Sequence, residues 1–110
     1  MKQRDIWQID FNPVKGSEQR GVRPGVIISG NSMNDHLGIA IVCPLSSRIK
    51  SFPGCVILTP DARNGLELNS EVLVFQVRTV SKERFIKRLG EISNKGLAEI
   101  KQGLEDVLTF

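Results

Sequence analysis

At 110 residues, 40% hydrophobic and 25% charged, the chain is sized for a single domain over 1–110 and is too apolar to be a disordered one. No apolar run approaches the ~18 residues of a membrane span, and Met1-Lys2-Gln3-Arg4-Asp5 leads directly into a strand-like pattern without a signal-peptide core, so a cytoplasmic protein without membrane contact is expected. The net charge of +3 is unevenly placed: residues 1–60 carry seven Lys or Arg against four acids and residues 61–110 carry eight of each, which suits either a polyanionic partner or a generic basic surface.

The first predicted strand, Asp5–Phe11, alternates with Trp7, Ile9 and Phe11 on one face and Gln8 and Asp10 on the other. Gly25–Ser29, Ile39–Leu45, Gly54–Leu58 and Val72–Val80 read as further strands, rich in Val and Ile and separated by Gly, Pro, Asn and Ser, and Phe85–Leu89 as a further short one. Between them lie three polar loops, Asn12–Val22, Gly30–Gly38 and Ser46–Pro53. Loops at the ends of rigid strands are where binding and catalysis collect. The period then changes: Leu97, Ile100, Leu104, Val107 and Leu108 share one helical face, Ser93 is placed as N-cap, and Ile92 and Leu97 flank it as a hydrophobic staple. Gly96 and Gly103 inside this helix each cost about 1 kcal/mol relative to Ala, so tertiary packing must hold it. The expected fold is mainly β with short helices: a small SH3-like, partly open barrel of bent antiparallel sheet carrying a C-terminal amphipathic helix.

Cys43 and Cys55 fall inside apolar runs, where a reduced thiol behaves as a small hydrophobe; a disulfide is possible and not required. With one histidine, His36, no Cys-x-x-Cys and no His-Glu-x-x-His, the usual zinc ligand sets are missing, and neither metal nor cofactor is expected. His36, whose ordinary pKa invites acid–base work, reads as a surface loop residue.

Three ordered blocks carry a resemblance. Asp5-Ile6-Trp7 and Asn12-Pro13 are followed by Gly16-Ser17-Glu18-Gln19-Arg20-Gly21-Val22-Arg23-Pro24, leading into Val26-Ile27-Ile28-Ser29. Pro44-Leu45-Ser46-Ser47-Arg48-Ile49 with Phe52-Pro53 comes next, then Gln76-Val77-Arg78-Thr79-Val80. Over nearly its whole length the chain resembles the MazF/PemK family of toxin endoribonucleases, and the implied fold is CcdB/MazF-like. The resemblance implies the toxin of a type II toxin–antitoxin system, a sequence-specific enzyme cutting single-stranded RNA, mRNA among it, to arrest translation and growth. It implies Arg23 and Ser46 as the catalytic pair, with Ser46 standing where threonine is more familiar. Ser47 is an adjacent substitute, and the general base is not evident.

The residue types suit metal-free chemistry in which the RNA's own 2′-hydroxyl attacks phosphorus. The protein must supply fixed donors and positive charge, which a guanidinium offers in planar, bidentate form. Glu18, Gln19, Arg20, Ser47, Arg48, Gln76 and Arg78 are the expected RNA-binding or site-supporting residues. For Glu18, anchoring of the loop competes with proton acceptance. For Gln76, Arg78 and Thr79, a buried network competes with RNA contact. Trp7 fits packing better than stacking on a base. The resemblance further implies a homodimer and a cognate antitoxin that covers the site. The alternatives are a gyrase-targeting toxin of related fold, which would carry a tryptophan near a C-terminus that here reads Leu108-Thr109-Phe110, and a non-catalytic nucleic-acid-binding barrel. The latter would need aromatic platforms, poorly supplied by five Phe, one Trp and no Tyr.

Overall fold

The structure, a computed structural model, describes residues 1–12 and 21–110. In chain order it contains β1 (Asp5–Asp10), β2 (Val22–Ile27), α1 (Asn31–His36), β3 (Ile39–Ser46), β4 (Val56–Leu58), β5 (Ser70–Val72), β6 (Arg78–Ser81), β7 (Phe85–Glu91) and α2 (Asn94–Thr109). Short 3₁₀ turns cover Val74–Gln76 and Lys82–Arg84. The strands form one antiparallel sheet in the order β4-β5-β3-β2-β1-β7, with β6 also paired to β3. β3 is the pivot. Its residues 39–42 pair with β6 and residues 45–46 with β5, while residues 42–44 pair with β2 on the other edge. Serving two partners end to end bends the sheet into the expected partly open barrel.

Alternation along β3 feeds two cores. Ala40 and Val42 join Ile9, Phe11, Ile27, Val80 and Phe85; Cys43 and Leu45 join Ile6, Val26, Val72, Val74 and, from α2, Leu97 and Ile100. Trp7 packs against the first cluster, edge-on to Phe85 at 5.9 Å, in keeping with a packing role. Helix α2 starts where expected. The Ser93 Oγ accepts from the Gly96 N–H at 3.0 Å, a cap worth about 1 kcal/mol, and Ile92 and Leu97 are both buried beside it. Gly103 faces Gly54 so closely that a Cβ would overlap the Gly54 carbonyl oxygen, and this approach offsets the helix propensity that glycine gives up.

Four expectations need correction. β2 begins at Val22 rather than Gly25 and ends at Ile27, so Arg23 sits within the strand. The 30–38 segment holds α1, in which buried Asn34 donates to the Ser29 carbonyl at 2.8 Å and accepts from the Ser29 hydroxyl. Val72–Val80 is two strands, because β5 and β6 pair with opposite ends of β3 and the chain must cross between them through Val74–Gln76. The apolar stripe of α2 ends early: Val107 and Leu108 are exposed, since the helix has passed the edge of the core.

Candidate active site

The β1–β2 register sets Ile9 opposite Arg23 and Gln8 opposite Pro24, and the β1–β7 register sets Gln8 opposite Lys87. Three strands thus deliver Arg23, Gln8 and Lys87 to one open groove of about 410 Å³. Its apolar surface comes from Pro24, Leu45, Leu66 and Leu89, and the segment Gly65–Leu68 forms one wall. Ser47, Ser70 and Glu67 complete the polar lining. Two cations against one carboxylate leave the groove net positive. Arg23 is an exposed residue, and the planar donors of a guanidinium match phosphate oxygens.

The wall is stiffly built. Asn64 is buried; its Oδ1 accepts from the N–H groups of Asp61 (3.2 Å) and Leu66 (3.0 Å), and its Nδ2 donates to the Thr59 carbonyl at 2.8 Å. The Arg63 and Asn64 amides both donate to Asp61 Oδ1, holding that carboxyl below the usual carboxylate range. Gly65, at φ 65°, and Gly90 let this wall lie directly on β7.

The two serines at the end of β3 face differently. Ser47, the first residue past β3, continues its alternation and lines the groove with Leu45. Ser46 is buried one residue earlier, and its Oγ accepts from the Arg48 N–H at 3.2 Å. Directly opposite Ser46 in the sheet stands Glu71, fully buried, whose carboxylate accepts from the amides of Lys50 (2.9 Å) and Phe52 (2.8 Å). Ser51 between those amides adopts φ 54°, and the Phe52 ring packs edge-on to Phe75 at 5.0 Å. Cys55 is close enough to feel this charge. Its thiol is pushed up chiefly by burial and further by Glu71, against hydrogen bonds from Val74 and Phe75 that pull it down.

Of the remaining sequence candidates, Arg48 is exposed just beyond the serines. Gln76 lies in the 3₁₀ turn, and Arg78 on β6 stacks over the Phe11 ring at 5.6 Å. Phe11 in turn packs against Gly25, two residues from Arg23, so among the described residues packing connects Arg78 to the groove. None of these three lines the groove formed by the described residues, and exposed Thr79 does not either. His36 ends α1 with Nδ1 2.7 Å from the Ser32 carbonyl oxygen, away from the groove. Glu18, Gln19 and Arg20 lie outside the described residues. Among the described residues, no group of three or more His, Cys, Asp or Glu comes together as a metal site, and no helix is long and apolar enough to cross a membrane.

Gln8, Glu67, Lys87 and Glu71 were not singled out from sequence. The polar alternation of β1 could have nominated Gln8. The others are distant in sequence, and only the pairing of β7 with β1 and of β5 with β3 brings them near Arg23 or the serines.

This architecture is that of the MazF-type toxins. MazF from Deinococcus radiodurans superposes with a TM-score of 0.82 at 30% identity, covering 99% of this chain and 96% of that one. A chain of the MazE–MazF structure from the same organism gives 0.77 at 29% identity, covering 98% and 95%. The endoribonuclease MazF9 of Mycobacterium tuberculosis is 31% identical over 111 residues, 96% of this chain and 93% of that protein. Residues 2–108 match the family described as PemK-like, MazF-like toxins of type II toxin–antitoxin systems, and the chain belongs to that family.

Proposed function

We propose that this toxin endoribonuclease cuts single-stranded RNA in the Arg23 groove, with the RNA's own 2′-hydroxyl as nucleophile and no metal. The 2′-hydroxyl gives up its proton as its oxygen bonds to the adjacent phosphorus, the bond from phosphorus to the 5′-oxygen breaks, and the 5′-oxygen takes up a proton, giving a 2′,3′-cyclic phosphate and a free 5′-hydroxyl. The observation that carries this reading is Arg23 and Ser47 lining one positive groove, with Lys87 beside them. Arg23 clamps the non-bridging oxygens as phosphorus gains charge. A serine hydroxyl donates to the same group. Ser46 holds the family position and Ser47 lines the groove, so the pair is taken together. Because a guanidinium is a permanent cation with donors and no acceptor, Arg23 serves as clamp and not as base.

The working form is a cytoplasmic homodimer held inactive by a cognate antitoxin, a partnership supported by the MazE–MazF structures of relatives. The target is mRNA, read sequence-specifically by the groove and its flanking loops. Cleavage of a defined RNA by single variants tests the site. Arg23→Ala is expected to lose about 10²–10³ in rate, as for removal of one preorganised donor. The serine that donates should show a comparable loss on replacement by Ala, and Ser46→Thr should stay active. Near-normal cutting by a folded Arg23→Ala protein would refute the assignment.

A further inference from the structure

We propose that Glu71 is the positioning residue of this site: its carboxylate fills a backbone nest at Lys50–Phe52 and so fixes the Ser46–Phe52 loop against the Arg23 groove. The inference rests on the ribonuclease reading above. A carboxylate that is fully buried needs compensating donors, and here these are the Lys50 and Phe52 amides, at 2.9 and 2.8 Å. The two N–H groups converge because Ser51 between them is left-handed at φ 54°, and a left-handed residue within a turn is what gathers successive amides around an anion. The loop is therefore wrapped around a charge that belongs to the sheet itself.

The position of that charge matters. Glu71 is the register partner of Ser46 on β3 and of Ile57 on β4, so it is clamped between two strands and cannot drift. The loop is tied at both ends: Arg48 N–H to Ser46 Oγ at its start, and the Glu71 carboxylate near its finish. The serines and Arg48 thus have one preferred placement before any RNA arrives, and preorganised donors are the ones that act on a transition state. Neither Glu71 nor Ser51 lines the groove, so RNA binding should be insensitive to them while the chemical step is not.

The test is steady-state RNA cleavage by Glu71→Gln, Ser51→Val and Ser51→Gly, with thermal melting alongside. Glu71→Gln keeps the size, but the amide offers one acceptor oxygen and turns an N–H₂ towards the second backbone donor. Ser51→Val changes an exposed side chain and disfavours positive φ, whereas Ser51→Gly permits it. Both Glu71→Gln and Ser51→Val should lower kcat by about tenfold or more with KM within about twofold, the pattern of a misplaced catalytic group, and Ser51→Gly should match wild type. Should Glu71→Gln fail to fold, Ser51→Val against Ser51→Gly decides. Wild-type kcat in Ser51→Val, or in a folded Glu71→Gln, would overturn the positioning role even where melting temperature falls. Absence of cleavage by the wild-type chain would instead overturn the ribonuclease reading, and the positioning role with it.

Discussion

Replacing Gly90 with alanine should open the groove without touching any residue that lines it. A Cβ at Gly90 would overlap the Arg63 carbonyl oxygen and stand 2.7 Å from that of Asn64, where ordinary contact starts at 3.4 Å, and clearing the Arg63 oxygen requires the wall to retreat by about 1 Å or more. The atoms in the way are backbone, and the Arg63 carbonyl also accepts from the Glu91 amide, so no flexible side chain can yield in their place. Overpacking of this kind costs about 1–3 kcal/mol. For a domain near this size each kcal/mol lowers Tm by about 4–8 °C, so a melting curve of the variant accompanies the assay. The displaced element carries Leu66, Glu67 and Leu68 of the groove, and a shift of about 1 Å at a catalytic site can cost about 10²-fold in rate. Cleavage assays on Gly90→Ala should show a loss between about tenfold and 10²-fold. Gly38→Ala, where nothing lies within 4 Å of the added atom, is the matched control and should be near wild type. A folded Gly90→Ala protein cutting at the wild-type rate would show that the 65–68 wall plays no part in the reaction.

The Cys43 thiol, pushed up to about 12 mainly by burial and further by Cys55, should resist iodoacetamide at neutral pH, with Cys55 labelled first. Because the folded state holds the Cys43 proton more tightly than the ordinary value of 9.0, stability should fall as pH rises from about 9 towards 12; flat melting temperatures across that window would contradict this. Light scattering at micromolar concentration should report about twice the 12.2 kDa chain mass, and a clean monomer that still cuts RNA would rule out the proposed dimer.

Much of the fold was legible because its signals are local. Alternation located β1, a Val- and Ile-rich run located β3, and Ser93 with its neighbours located the start of α2. What escaped depended on pairing. Val72–Val80 reads as one apolar run, and only the sharing of β3 between β5 and β6 breaks it at Leu73. Arg23 stood out through the residues around it, whereas Lys87 is one of eight cations in its half of the chain and becomes notable only when β7 pairs with β1. Glu71 falls just before the expected Val72–Val80 strand and carries no signal in sequence until the Lys50 and Phe52 amides are seen to meet it. The Ser46–Ser47 ambiguity has the same origin: strand period separates adjacent residues onto opposite faces, but which face meets the groove depends on the bend of β3.

The most direct test uses two RNA oligonucleotides differing by one atom, the 2′-oxygen of the ribose 5′ to the cut. The all-ribose strand should be cut in excess EDTA, leaving a 2′,3′-cyclic phosphate upstream and a 5′-hydroxyl downstream. The deoxy-substituted strand should bind almost as well, since phosphate contacts remain, and should not be cut at that position. Cleavage of the deoxy strand, or a strict requirement for magnesium, would contradict attack by the 2′-hydroxyl under the Arg23 clamp.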